Sequence, residues 1–501
     1  MRFARASLVF GYLSTAIIVM SIAISVNADE DNLPAPALAI EHRVVEDVPM
    51  DSLPESLIAL LSKNKVPADN LSIYVRDLNS KQPLLEHNVD IMRSPASTVK
   101  LITTFAALKQ LGPNYAWRTE AWHRGDIENG ILKGDLILKG HGDPFMVYER
   151  YWKFVHELHD KGLREITGNV IIDNSYYDLP DHDNDAFDGQ GFRVYNAGAS
   201  PLMFNFQATR LMIKPPEDEA ATLADIIPFP PSSALTIDNQ VALVKGRCKR
   251  QHGRPKLSWS PEKQLIVKGQ FSVSCKPRYL MRNLSDPTQH AFDAFKHFWT
   301  ELGGKLHGGL KAGQVNGDDE LFHSYSSPTL GEQIRLINKW SNNVMTRQLL
   351  LTIGANRFGA PATLDKGRDA VLETLKKQGV DTTNMVVDNG SGLSRKARVS
   401  ARQMSQLLEV AYRDAYMPEF MSSMSLPGLD GTLASRFKSD DQKGRSHLKT
   451  GTLNSVTAIA GYMLNRKGRR LVIVVQHNGS RATSARGGKI QDEILRWAFE
   501  Q

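Results

Sequence analysis

The stretch RSPASTVKLITTFAALKQLG, Arg93 to Gly112, sets a serine and a lysine three residues apart at a helix entrance. Leu101, Phe105 and Leu108 fall near one face of the helix that follows, and Gly112-Pro113 stops it. Two readings of Ser97 and Lys100 lead to different proteins. In the first, Ser97 caps the helix and Lys100 is a solvated first-turn side chain. In the second, the lysine takes the proton of the serine. Residues i and i+3 share a helix face with Cβ atoms about 5–6 Å apart, and outward N–H groups at a helix start favour a developing negative charge.

Spacing alone does not choose between them. Ser62, Ser97, Ser260, Ser435 and Ser446 each have a lysine three residues on, and ordinary usage gives roughly one to three such matches in a chain this long. Placement singles out Ser97, whereas Ser260 lies between strand-like runs. The chemical reading carries a further demand. A lysine near its reference pKa of about 10.4 is a poor base at neutral pH, so burial or a second cation must favour its neutral form.

HLKTGTLNSV supplies that cation. Lys449-Thr450-Gly451 is the only KTG in the chain, against a chance expectation of ~0.1. On a strand, Lys449 and Gly451 face one side. The glycine leaves room for a substrate along the strand edge, and the N–H of Thr452 joins that of Ser97 as an oxyanion donor. A third element, KWSNNVMTRQLL, places Ser341 and Asn343 just before an apolar helix. Ser341 there also reads as an ordinary helix cap, and Ser-x-Asn recurs at Ser25 and Ser62. The order SxxK, SxN, KTG is the informative signal.

The whole chain bounds these readings. It has 501 residues, 41% hydrophobic and 23% charged, which describes a folded protein with room for two or three cores rather than a disordered or polytopic one. Arg2 and Arg5 precede ASLVFGYLSTAIIVMSIAISV, and VNA offers small residues before Asp29. This reads as a secretory signal over residues 1–28, with an uncleaved anchor as the alternative. No later run suits a membrane span, so export is expected. Cys248 and Cys275, the only cysteines, either pair in an oxidising compartment or stay as two buried thiols. No CxxC or HExxH occurs, HELH (His156 to His159) reads as helix surface, and no metal is expected. The net charge of +7 includes KGRCKRQHGRPK from Lys245. Export argues against nucleic acid, so this run reads as a solvated loop, with peripheral contact to anionic lipid or polymer as the other reading.

Along the chain, LPESLIALLSKNKVP predicts a short helix and LSIYVRDLNSKQPLLEHN a hairpin turning near Asn79 and Ser80. Residues 116–321 have a β-rich texture of short runs such as LKGDLILKG and QLIVKGQFSV, with prolines clustered at PFPPSS. This block reads as an insertion, one subdomain or two, between segments 29–115 and 322–501. Helical periodicity returns at TLGEQIRLINKWSNNVMTRQLLLTIGA. TAIAGYMLNRKGRRLVIVVQHNG then predicts a hairpin turning at Arg466 to Gly468, and GKIQDEILRWAFE a terminal helix.

The ordered triple resembles the penicillin-recognising serine enzymes. The long interval from Ser97 to Ser341, with VDNGSGLSRKARVSARQM, SLPGLDGTLASRF, YNAGASPLMFNF and LILKGHGDPFM, is similar to the D-alanyl-D-alanine carboxypeptidase/endopeptidase branch of the penicillin-binding protein 4 type, peptidase family S13. His141 in GHGDP departs from the smaller residue expected there. The resemblance implies an α/β (α+β) chain of the β-lactamase/transpeptidase-like fold, a central antiparallel sheet flanked by helices and interrupted by the insertion. It implies Ser97 as nucleophile, Lys100 as its base and Ser341 as proton relay. It also implies Asn343 as orienting group, Lys449 with Thr450, Gly451 and Thr452 as the carboxylate and substrate edge, and Arg395 as a site-lining residue. Asp173, from the DNSYYD of the insertion, would reach the cleft and touch the peptide stem. Peptidoglycan stem peptides are the implied substrates, β-lactam antibiotics the implied covalent inhibitors, and no cofactor is implied. A serine β-lactamase, or a non-catalytic scaffold binding peptidoglycan through its insertion, are the competing readings.

Overall fold

The runs VTAIAGYML (Val456–Leu464) and RLVIVVQHN (Arg470–Asn478) are apolar at nearly every position, as strands covered on both faces must be. In the computed structural model, which describes residues 53–252, 254–483 and 485–501, they form the centre of a five-stranded antiparallel sheet. Its order is Ser446–Leu453, Val456–Leu464, Arg470–Asn478, Leu71–Asp77 and Leu85–His87. The turn closes at Gly468, whose φ of 78° suits glycine. The leader over residues 1–28 lies outside the described residues. No helix among the described residues is long and apolar enough to cross a membrane.

Helices Glu55–Asn64 and Ala485–Glu500 cover one face of the sheet, where Leu57, Leu61, Ile490 and Ile494 meet Ile459, Ile473 and Val475. The other face meets the helix Val99–Leu111 through Ala460, Tyr462, Val472 and Val474. Periodicity predicts one apolar face for that helix, but every residue from Val99 to Leu108 is buried. The helix runs between the sheet and a helical lobe that includes Leu330–Trp340, Asn343–Phe358 and Ala401–Tyr412. Its polar side chains are therefore matched internally: Thr104 donates to the Lys100 carbonyl at 2.7 Å and Thr103 to that of Gly390 at 2.9 Å. A lysine on such a helix is withdrawn from bulk water, and Lys100 is fully buried.

Residues between this helix and the lobe leave and return at one place. Strand Arg118–Glu128 pairs antiparallel with Glu320–Ser326, Arg118 opposite Ser326, and Leu330 N–H donates to Tyr115 at 2.7 Å. What they enclose has two cores. One joins a sheet built around Ile131–Gly140 to helices Tyr148–Asp160 and Pro287–Glu301 through Leu136, Tyr151, Phe154, Phe298 and Trp299. The other lies between two three-stranded sheets over 209–282 and centres on Leu211, Ile213, Val267 and Phe271. Segment 209–282 holds 13 Lys and Arg against 6 Asp and Glu, so the net +7 of the chain resides there and the remainder is balanced.

Cys248 and Cys275 are joined as a disulfide in this second core, 27 residues apart in sequence. Closing a loop of that size stabilises by about 3.5 kcal/mol. The double variant Cys248→Ser/Cys275→Ser is expected to lose that much. Its new proteolytic cuts should fall within 209–282, a pattern that limited digestion with mass mapping will check.

Candidate active site

Ala96, with a left-handed φ of 45°, turns the chain into the short 3₁₀ segment Ala96–Thr98 that opens the central helix. Ser97 stands on this turn, half-buried, and Lys100 one turn further in is fully buried. The Lys100 Nζ lies 3.1 Å from Ser97 Oγ and donates to Asn343 Oδ1 at 2.7 Å and to the Ser391 carbonyl. Two of these partners are pure acceptors. A neutral amine has two hydrogens and one lone pair, so filling both acceptors turns the lone pair to the Ser97 hydroxyl.

The Ser391 carbonyl is delivered by Gly392. Its φ is 77°, and a Cβ on it would lie 2.0 Å from the Ala96 oxygen. The GSG of VDNGSGLSR is thereby explained as a backbone that abuts the nucleophile turn. Sequence reasoning assigned no role to Ser391, since a carbonyl acceptor leaves no signature in side-chain identity.

Ser341 and Asn343 flank a helix break. Ser341 ends Leu330–Trp340 in the left-handed region, at φ 57°, and Asn342 caps the next helix by accepting from Met345 N–H at 3.0 Å. The cap is thus Asn342 rather than Ser341. Released from capping, the Ser341 hydroxyl meets Lys449 Nζ at 2.9 Å, while Lys449 also donates to the Thr450 carbonyl at 2.8 Å. Lys449 is fully buried, and that burial pulls its pKa down to about 7. Lys100 is held well below the usual lysine range, first by burial and then by the positive charges of Lys449 and Arg347. Burial thus favours the neutral form of both amines, and on Lys100 two neighbouring cations add to it.

Arg347 was not legible as a site residue. It lies four residues beyond Asn343, on the same helix face, and that spacing was the available signal. Buried, with its pKa drawn down to about 10 by burial, it donates to the carbonyls of Tyr195, at 3.2 Å, and Ala197. Asn343 Nδ2 reaches the same Tyr195 carbonyl at 3.5 Å, so a loop of the insertion forms one wall of the site. Removing the charge in Arg347→Met should raise the pKa of Lys100. The acidic limb of the pH–rate profile is then expected to move to higher pH, with about tenfold less activity on that limb per unit of displacement. A variant that merely loosened the fold would lower the rate at every pH alike.

Along the strand Ser446–Leu453, Leu448 exchanges both backbone bonds with Ser425 on the outer edge. Alternation turns the N–H and C=O groups of Thr450 and Thr452 to that same edge. The Thr450 hydroxyl pairs with that of Thr432 at 2.7 Å. Gly451 does a different job from the one its neighbours suggest. A Cβ on it would sit 2.8 Å from Ser97 N and 2.9 Å from the Pro95 oxygen, so it lets the strand close on the nucleophile turn.

Ser97, Lys100, Asn343, Ser341 and Lys449 thus share one linked site, with Thr450, Gly451 and Thr452 along its edge. Arg395 stands on the rim. It lies 4.8 Å over the Phe187 ring of the insertion and reaches the Asn454 carbonyl at 3.4 Å. Asp173 is not brought to the cleft. Its buried carboxylate pairs with Lys139 at 3.0 Å and accepts from Ser175 and Val315 N–H groups. Burial alone would raise its pKa, but those bonds hold it below the usual range and leave it structural. His141 also stays within the insertion, 3.1 Å from Glu120. The one His/Cys cluster among the described residues, Cys248, His252 and Cys275, has its sulfurs bonded to each other and offers no thiolate.

The chain is 24% identical over 423 residues to the D-alanyl-D-alanine carboxypeptidase DacB of Haemophilus influenzae, covering 83% of this chain and 87% of that one. It is 26% identical over 454 residues to a D-alanyl-D-alanine carboxypeptidase of Actinomadura, covering 86% and 81%. The crystal structure of penicillin binding protein 4 from H. influenzae shares the fold with a TM-score of 0.74 at 23% identity, over 89% of this chain and 99% of that one. The mixed helix-and-sheet architecture with a large inserted segment is therefore the transpeptidase-like fold of that structure. Residues 53–501 match the profile of the D-Ala-D-Ala carboxypeptidase 3 (S13) family, and the chain belongs to that family of serine peptidases.

Proposed function

We propose that the protein is an exported serine D-alanyl-D-alanine carboxypeptidase/endopeptidase that acts on peptidoglycan stem peptides in the periplasm. The observation that carries this is the pair of buried amines around one serine hydroxyl. Lys100, neutral, takes the Ser97 proton as Oγ bonds to the carbonyl carbon of the penultimate D-alanine. The N–H groups of Ser97 and Thr452 stabilise the oxyanion. The C–N bond then breaks, and the departing amine receives the Ser341 hydroxyl proton, which Lys449 replaces. The proton held by Lys100 returns Lys449 to its starting charge. Water next attacks the acyl-enzyme, with Lys100 again as base, and releases Ser97. A β-lactam enters by the same acylation, but its amine stays tethered in the adduct and obstructs water. A basic surface over 209–282 suits peripheral contact with anionic envelope material.

The test is mass spectrometry of the intact and digested protein after exposure to penicillin, with release of D-alanine from a D-Ala-D-Ala peptide measured in parallel. One adduct on the Ser97 peptide together with D-alanine release is expected. An unmodified Ser97 peptide would sink the proposal, and rapid turnover of the adduct would favour a β-lactamase.

A further inference from the structure

A cavity of about 1070 Å³ lies beside the helix Asn343–Phe358, bounded by both parts of the insertion and by the peptidase lobe. Its volume is at the upper end for small-molecule sites, about 300–1,000 Å³. Apart from Arg347, the mechanism above uses none of its lining. Its lining is rich in side-chain amides and carboxylates, with an aromatic pair on one wall. Phe192 and Trp259 stack at 5.7 Å with planes 29° apart, and Trp259 remains 44% exposed although it is the largest apolar side chain of its strand. A half-open indole over a polar cavity is an amphipathic platform of the kind that meets a ligand with one apolar face and polar edges.

Beside the platform is an amide without a partner. Asn283 is 5% exposed, its backbone N–H donates to the Phe192 carbonyl at 3.0 Å, and its buried Nδ2 has no protein acceptor. Asn184, also in the lining, has a buried Oδ1 with no donor. Leaving such groups unmet costs about 1–3 kcal/mol each, so each calls for an explanation. Gln207, whose Nε2 donates to the Ser285 carbonyl at 2.6 Å, lines the same space from a segment held in the left-handed region at Asn205, Phe206 and Gln207, with φ between 47° and 59°. Non-glycine residues do not adopt that conformation in succession without constraint from their surroundings.

One orphan donor, one orphan acceptor, carboxylates to accept hydroxyls and an exposed ring together describe the groups of an N-acetylated amino sugar. Its acetamido carbonyl would accept from Asn283, its N–H would donate to Asn184, Asp185 would accept from ring hydroxyls, and its C–H face would lie on Trp259. We infer that this cavity binds N-acetylated amino sugars of a glycan strand. The inference extends the proposed function, because Arg347 lines the cavity and also acts on Lys100. A strand seated there would hold its stem peptide on the other side of the Tyr195 wall, toward Ser97.

The experiment is isothermal titration of the full mature chain with tri-N-acetylchitotriose, which carries no peptide and so reads the cavity independently of any peptidase activity. Saturable binding is expected, at least tenfold tighter than that of cellotriose, which has hydroxyls in place of acetamido groups. Trp259→Ala and Asn283→Asp should each weaken it at least tenfold. Asn283→Asp keeps size and shape, so it decides the matter should Trp259→Ala fold poorly. Absence of binding, equal affinity for cellotriose, unchanged binding by both variants, or displacement of the sugar by a D-Ala-D-Ala stem peptide would each overturn the inference. A chain that binds the sugar but forms no penicillin adduct would instead refute the peptidase reading and leave this one standing.

Discussion

Ser97→Ala is expected to lower kcat/KM for a D-alanyl-D-alanine peptide by at least ~10⁴-fold and to abolish covalent uptake of labelled penicillin. The size of the effect follows from the geometry. The lone pair of Lys100, with its two hydrogens committed to Asn343 and Ser391, has one hydroxyl to act on, 3.1 Å away. The site does contain a second serine hydroxyl, Ser341, but its nearest amine is Lys449, drawn down by burial, whereas Lys100 is drawn down by burial and by the charges of Lys449 and Arg347 as well. The serine that acylates is therefore assigned by which amine is neutral, and the variant tests that assignment. A penicillin adduct that moved to Ser341 in Ser97→Ala would show the two amines to have exchanged roles. Since Ser97 is half-buried and lies on a turn, the melting temperature of the variant should stay within a degree or two of wild type.

Lys100→Met should cost about 10³- to 10⁴-fold in the rate of acylation and yet leave the protein no less stable. A folded-state lysine pKa below its unfolded value of 10.5 means that the folded state binds fewer protons between those two values. Stability then rises with pH across that window, and the full penalty is present below the folded pKa. For Lys449, at about 7, the penalty near neutrality is on the order of 5 kcal/mol before its hydrogen bonds are counted. Lys100 carries a penalty of the same sign. Methionine keeps the length and removes the charge, so the Met variant should melt at or above the wild-type temperature at pH 6–7. Its stability should also climb less steeply toward pH 10 than that of wild type. Unfolding curves at several pH values, set beside acylation rates, check both halves. A variant that lost rate and stability together would mark Lys100 as structural.

The same two lysines show what could and could not be read before the chain was folded. The i, i+3 spacing of Ser97 and Lys100 and the alternation of Lys449 and Gly451 are local regularities, set by helix and strand periods that hold in any tertiary setting. The order of the three motifs, and the resemblance that rests on it, were likewise available from the sequence. The apolar runs over 456–478 were enough to announce a hairpin. The acceptor that completes Lys100 was not available, because the Ser391 carbonyl lies 291 residues away and any residue type carries one. Asp173 failed for the converse reason. Its motif suggested a cleft residue, but its environment, Lys139 and the Val315 N–H, comes from strands and loops that only the folded insertion brings together.

By itself, then, the sequence determined the chemical vocabulary: a hydroxyl and two amines in settings that could approach one another, carried on a recognisable family pattern. Tertiary structure alone decided their protonation. It buried Lys100 and Lys449, set Arg347 against Lys100 and shut the strand onto the serine through Gly451. A pKa is a property of the surrounding dielectric and charges, and those are created when distant segments pack.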